Sequence, residues 1–240
     1  MQMGPTNGQG PLTCPDPMPE TNLTSPASQA AALEAARFAL LRRLAPALRH
    51  EAVAHLQPLT MVGSILERRL AAPQPDTAQV ADGVRRLMAS SRGAVQSCLD
   101  VLTWLAPEPG RLLPLHEAVA ETLQLLRGSL GFRGFAVRDE VGGLAAPVPR
   151  AALRYVLPAS LLWLTDSAGP PAEVTLTART EGVQVSLVLE LAPTDGPEGA
   201  PMDPAGRALA VAEVALLARA DGVGFTQQGD AITLTLAAAS

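Results

Sequence analysis

The sequence predicts an α+β chain: a helical hairpin that closes with a second copy into a dimeric four-helix bundle, followed by an α/β two-layer sandwich. Three observations predict it. Apolar residues recur at intervals of three, four and their sums from Ser28 to about Ala72, which is the one-sided stripe of a long helix. A second stripe of the same kind follows a short proline-bounded turn. Beyond Gly110 the pattern switches between helical spacing and strict alternation, as expected where helices cover one face of a mixed sheet.

The elements follow in order. Residues 1–27 hold Pro5, Pro11, Pro15, Pro17, Pro19 and Pro26 among Gly, Thr, Asn and Gln, with no apolar period; they read as a disordered leader or linker. The first helix carries Leu33, Phe38, Leu41, Leu44, Leu48, Val53, Leu56, Leu59, Ile65 and Leu66 on its stripe. Pro46 and Pro58 each remove a backbone bond and should bend it. Ala71-Ala72-Pro73-Gln74-Pro75 ends it, and Asp76 caps the next helix with Gln79 as reciprocal partner. Val80, Val84, Leu87, Met88, Val95, Leu99, Leu102 and Leu105 mark that helix's apolar face, and Pro107-Glu108-Pro109-Gly110 stops it. The hairpin, residues 28–106, cannot cover this stripe alone, so a homodimer is expected.

Residues 110–240 form the second unit. Leu115 to Leu126, Arg150 to Asp166 and Ala205 to Ala220 read as helices, and Phe135 to Val141 and Ala231 to Leu236 as strands. Val174 to Ala178 and Val183 to Leu191 alternate and pair as a hairpin across Thr180-Glu181-Gly182.

Composition excludes several functions. All 18 basic residues are Arg, so neither a Schiff-base lysine nor a Walker lysine exists. A net charge of -5 with 3% aromatic residues argues against a nucleic-acid binder, which needs a basic stripe and stacking rings. Cys14 and Cys98 make neither a disulfide framework nor a metal site. No basic-then-apolar leader marks a signal peptide, and no stretch of ~18 uncharged apolar residues marks a membrane span. The default compartment is the cytoplasm.

The residues with chemistry sit on the first helix, in Leu48-Arg-His-Glu-Ala-Val-Ala-His-Leu-Gln-Pro-Leu59. With the domain order, this segment resembles the core of bacterial sensor histidine kinases, in which a dimerisation and histidine-phosphotransfer hairpin precedes an ATPase-like domain. The resemblance covers roughly residues 30–240. The segment looks like the H-box variant in which His-Glu or His-Asp is followed by an Asn four residues after the His and then Leu-Gln; Ala54 replaces that Asn. Leu113-Pro-Leu-His-Glu-Ala-Val-Ala resembles the opening of the ATPase-like domain, and Arg154 to Ala168 the helix of the Asn-rich box.

The departures concern nucleotide binding. The two Asn positions of that box fall on Ala159 and Trp163, which offer no side-chain oxygen to a magnesium ion; Trp163 reads as a core aromatic filling the vacated pocket. The glycine-rich lid box reads Gly206-Arg-Ala-Leu-Ala210, with two methyl groups where glycine would let phosphate approach. Asp195-Gly-Pro-Glu-Gly199 keeps only part of an Asp-x-Gly-x-Gly box. The resemblance therefore implies a degenerate ATPase-like domain with no bound cofactor.

What survives is phosphotransfer. An acceptor histidine needs an exposed ring nitrogen, a group that orients or deprotonates the ring and a dockable surface, while a receiver domain brings its own aspartate and Mg²⁺. His50 is the expected phosphoacceptor, Glu51 its orienting group or base, and Arg49 a counter-charge for phosphate. Arg42, Arg43 and Gln57 are expected to bind the partner, with Arg68 and Arg69 as further attraction for an acidic receiver. His55, about 140° round the helix from His50, is the rival acceptor or a seam residue, and His116 reads as a surface residue at a helix start. The expected function is a histidine phosphotransferase that relays phosphoryl groups between response-regulator receiver domains without autophosphorylating. A non-catalytic adaptor that docks a receiver or kinase is the alternative, and an ATP-dependent kinase the third reading.

Overall fold

The computed structural model describes residues 25–105, 110–200 and 205–238; the leader through residue 24, Cys14 and the stop at 106–109 lie outside them. Helix α1 spans Pro26–Leu70. It begins before Ser28 because Ser25 caps it, its hydroxyl accepting the Ser28 N–H at 3.2 Å, and Pro26 takes a first-turn position where a missing N–H costs no bond. The helix runs on through Pro46 and Pro58. Asp76 Oδ1 accepts from the N–H groups of Ala78 and Gln79 at 2.9 and 3.1 Å, which starts α2, Thr77–Leu105. The two helices pack against each other.

The seam between them is lined differently from the predicted stripe. Gly83, Ala94, Ser97 and Trp104 are the buried positions on α2. Leu66 lies so close over Gly83 that a Cβ there would come within 2.5 Å of Leu66 Cδ2. Small residues let the helices approach, whereas Val84, Met88, Val95, Leu99 and Leu102 are exposed on another face. Cys98 is also exposed and is not in a disulfide.

The second unit contains β1 (Leu112–Pro114), α3 (Leu115–Phe132), β2 (Phe135–Glu140), β3 (Pro147–Pro149), α4 (Arg150–Ser167), β4 (Ala172–Glu181), β5 (Gln184–Pro193), α5 (Val211–Ala220), β6 (Gly224–Gln228) and β7 (Ala231–Ala237). β1 and β3 form a small antiparallel pair, and the main sheet has the order β2-β4-β5-β7-β6, with only β2 and β4 parallel. Val174, Leu176, Val185, Leu187, Leu189, Ile232 and Leu234 are fully buried on the inner face. Thr175, Ser186, Val188, Thr233 and Thr235 alternate with them on the other face and are half-exposed.

Three expectations change. α3 continues past Leu126 to Phe132, anchored by buried Leu126 and Leu130. α5 begins at Val211, not Ala205, because Gly206 has a φ of 80° and Glu213 Oε2 accepts the Ala210 N–H at 2.9 Å. β1, β3 and β6 are additional to the predicted strands: two are three-residue strands containing proline, and β6 has Phe225 as its sole large apolar residue.

The hairpin is not separate from the sandwich. Ala36, Ala39, Leu40, Leu44 and Leu48 of α1 join the core that also contains α3, α4 and α5, so the helical layer lies between the sheet and α1. Buried arginines fasten the joint. Arg43, expected to bind a partner, instead forms a two-bond pair with Asp166 of α4 at 2.5 and 2.8 Å. Its side chain is 3% exposed, so it is unavailable to a partner. The same carboxylate accepts from Arg133 at 2.8 Å. Arg37 pairs with Asp221 at 3.3 Å and stacks on Tyr155 at 5.1 Å. Arg154 donates to Thr103 and lies over the Trp104 ring at 4.8 Å, while the Tyr155 hydroxyl donates to the Trp104 carbonyl at 3.3 Å. Among the described residues no helix is long and apolar enough to cross a membrane.

Candidate functional site

On α1 the positions Pro46, Ala47, His50, Glu51, Ala54 and His55 repeat with helical spacing and together line one broad side of the helix, with His50 and His55 towards its opposite edges. Gln124, Leu125, Gly128, Ser129 and Phe132 do the same on α3. The two faces enclose an open groove of about 700 Å³. Its walls are mostly small or apolar, with His50, Glu51, His55, Gln124 and Ser129 supplying the polar groups.

His50 is exposed, and Glu51 is half-buried beside it. Gln124 Nε2 donates to Glu51 Oε1 at 3.5 Å, joining the site to the sandwich across 73 positions of sequence. α3 is held in register by Glu121, one turn before Gln124. Its carboxylate accepts two bonds from Arg150 at 3.1 and 2.7 Å, and Arg154 adds a 3.4 Å contact. Burial, then the neighbouring Arg150, pull the Arg154 guanidinium below its usual pKa, while Glu121 opposes them.

The other predicted residues divide clearly. Arg49 is exposed next to His50, and Gln57 is exposed two turns further along the same side of α1. Arg42 is exposed, lies 6.0 Å from the Phe38 ring centre and borders Gly206. Arg43 is in the clamp to Asp166. Arg68 and Arg69 lie about 27 Å along the helix from His50; Arg69 donates to the Gln79 carbonyl at 3.0 Å, tying the hairpin turn. His55 lines the groove and also faces Gly93 of α2, so it sits where α2 meets the site. His116 is half-buried, its Nδ1 3.1 Å from the Leu144 carbonyl. The α3 side of the site, with Gln124 and Ser129 as its polar members, is what the sequence does not flag: these are single polar residues on a helix whose placement beside α1 depends on distant contacts.

Several of the positions that the resemblance assigns to nucleotide-binding motifs are engaged in packing. Ala159 is 0% exposed, and Trp163 is half-buried against the core. Gly199 lies on the α3–β2 turn so closely that a Cβ would fall 2.0 Å from the Arg133 carbonyl carbon, and Ala200 N–H donates to the Phe132 carbonyl at 3.0 Å. Leu209 is buried, and Arg207 makes a two-bond pair with Glu213. Asp195 is exposed. Among the described residues no group of three or more His, Cys, Asp or Glu side chains forms a metal site.

No family model matches the chain, and no curated protein matches it. Solved structures do. A histidine kinase from Burkholderia phymatum STM815 is 16% identical over 88% of this chain and 98% of its own, with a TM-score of 0.45. Histidine kinase ThkA in complex with the response regulator TrrA is 13% identical over 89% of this chain and 66% of its own, with a TM-score of 0.39. A structure described as a bacterial phosphotransferase is 13% identical over 88% and 97%, at 0.36.

Proposed function

We propose that the protein is a cytoplasmic histidine phosphotransferase, relaying phosphoryl groups between response-regulator receiver domains through His50 without using ATP. The observation that carries this reading is an exposed His50 with Glu51 at the edge of a groove between α1 and α3. An unprotonated ring nitrogen attacks the phosphorus of a receiver's aspartyl phosphate. A P–N bond forms as the P–O bond to the aspartate breaks, and the carboxylate leaves. Glu51 holds or accepts the proton of the ring, and Arg49 offsets phosphate charge. The reverse attack by a second receiver's aspartate completes the relay. The Mg²⁺ that offsets charge in transfer belongs to the receivers.

Packing supports the absence of a kinase step. Ala159 and Trp163 stand within or against the core, Gly199 is occupied by the Arg133 backbone, and the 205–210 segment is tied by Leu209 and Glu213. A fluorescent nucleotide with Mg²⁺ should show no saturable binding.

We also propose the homodimer. Val84, Met88, Val95, Leu99 and Leu102 leave α2 with an apolar face that no other described residue covers, and a second hairpin of the same chain would cover it in a four-helix bundle.

The test is to mix the protein with a labelled, phosphorylated receiver. Label should reach the protein with the acid lability of phosphohistidine and should be absent from His50→Ala. No transfer, or equal transfer to His50→Ala, overturns the reading, and full cellular activity of His50→Ala would favour a docking adaptor.

A further inference from the structure

We infer that Gln124 is a positioning residue for Glu51, so that the sandwich takes part in the chemistry at His50 through a side chain. This rests on the phosphotransfer reading and extends it to regulation of the same site.

His50 and Glu51 are consecutive on α1, so their Cα–Cβ bonds diverge by about 100°. The carboxylate can serve the ring only if its long side chain is kept on the His50 side of the groove. On α1, Ala47 and Ala54, one turn before and about one turn after, are too small to confine it, and His55, four residues on, lines the same groove without a hydrogen bond to it among the described residues. Across the groove Gly128 adds no bulk, since a Cβ there would meet nothing within 4 Å.

Gln124 supplies the restraint. Its amide donates to Oε1 at 3.5 Å, and the other Glu51 oxygen has no hydrogen-bond partner among the described residues. An amide suits this position, because it can donate to a carboxylate without adding charge beside the histidine. Gln124 is itself fixed by the helix that carries it. Leu123, Leu125 and Leu126 are buried, and Glu121 is pinned by Arg150 and Arg154. The Arg43–Asp166–Arg133 clamp holds α4, and with it the helical layer, on α1. Orientation of Glu51 thus depends on how the sandwich sits on the hairpin.

The experiment uses the full chain and the variants Gln124→Ala, Gln124→Glu, Glu51→Ala and the double variant Glu51→Ala/Gln124→Ala. Melting temperatures serve as a control for folding. Transfer from a phosphorylated receiver is measured as a function of receiver concentration. Gln124→Ala should slow transfer at saturation about three- to tenfold, the scale of one hydrogen bond, with the half-saturating concentration unchanged. Gln124→Glu should slow it further. In the Glu51→Ala background, Gln124→Ala should have no effect. Additive losses, a change confined to half-saturation, or no change would overturn the inference.

Carbethoxylation of His50 by diethyl pyrocarbonate, followed by mass spectrometry, needs no receiver and tests the same cycle. If the wild-type chain takes up no phosphate, the phosphotransferase reading fails by itself. The carbethoxylation cycle then still decides whether Gln124 acts on His50 through Glu51: non-additive rates support it, and additive or unchanged rates overturn it.

Discussion

Asp166 shows what single side chains contribute to this molecule. Its carboxylate accepts from Arg43 and Arg133 at the joint between α1, α4 and the turn after α3. Removing it leaves two guanidiniums with little solvent access. Asp166→Ala should therefore lower unfolding free energy by about 3–5 kcal/mol, measured by urea titration. Two other carboxylates predict opposite pH effects. Arg207 holds Glu213 below the usual carboxylate pKa, mainly through its hydrogen bond. Glu213's contribution is therefore present above the unfolded pKa and lost as pH falls through the lower folded value. Burial raises the Asp221 pKa, with Arg37 opposing. The native state then holds that proton to higher pH than the unfolded chain, so stability drops as pH climbs from the ordinary carboxylate range through the raised value. Urea midpoints across pH should show the advantage of wild type over Glu213→Gln shrinking in acid. Relative to Asp221→Asn, wild type should lose stability as pH rises above the ordinary carboxylate range.

At the scale of elements, α2 is apolar on two sides for two reasons. Gly83, Ala94 and Ser97 let it lie close to α1, while Leu99, 51% exposed, belongs to a face that nothing among the described residues covers. Leu99→Glu should convert the proposed dimer to monomer in sedimentation equilibrium while leaving the helical circular dichroism intact. If the chain is monomeric before substitution, the dimer is wrong. The loop from 194 to 200 is set by a close approach, not by a side chain. Gly199→Ala places a methyl group against the Arg133 carbonyl and should destabilise the protein by about 1–3 kcal/mol, read from the urea midpoint. The elements that periodicity reveals are those with one strongly buried face, such as β4, β5 and β7. β6 escapes because an edge strand with Phe225 as its only large apolar residue gives little alternation to detect. β1 and β3 escape because proline within three residues reads as a turn.

Across the whole molecule, one core continues from the sheet through α3, α4 and α5 into the first half of α1. The lysine-free basic set has a place in that arrangement. Buried pairing at Arg43, Arg150 and Arg154 uses planar guanidinium groups that bond two acceptors or stack on a ring, which an ammonium group does not do equally well. In the sequence alone these residues are simply positive charges, and Arg43 reads as a surface residue near a His-Glu pair. The local pattern determined the helical hairpin, the order of the sandwich and the candidacy of His50 and Glu51, because those depend on periodicity and on neighbours along one helix. Tertiary structure decided that Arg43 is internal, that Arg68 and Arg69 are remote, and that Gln124 faces Glu51. Those facts depend on how α1 meets α3 and α4, where the partners lie 73 and 123 positions apart and no local spacing records the contact.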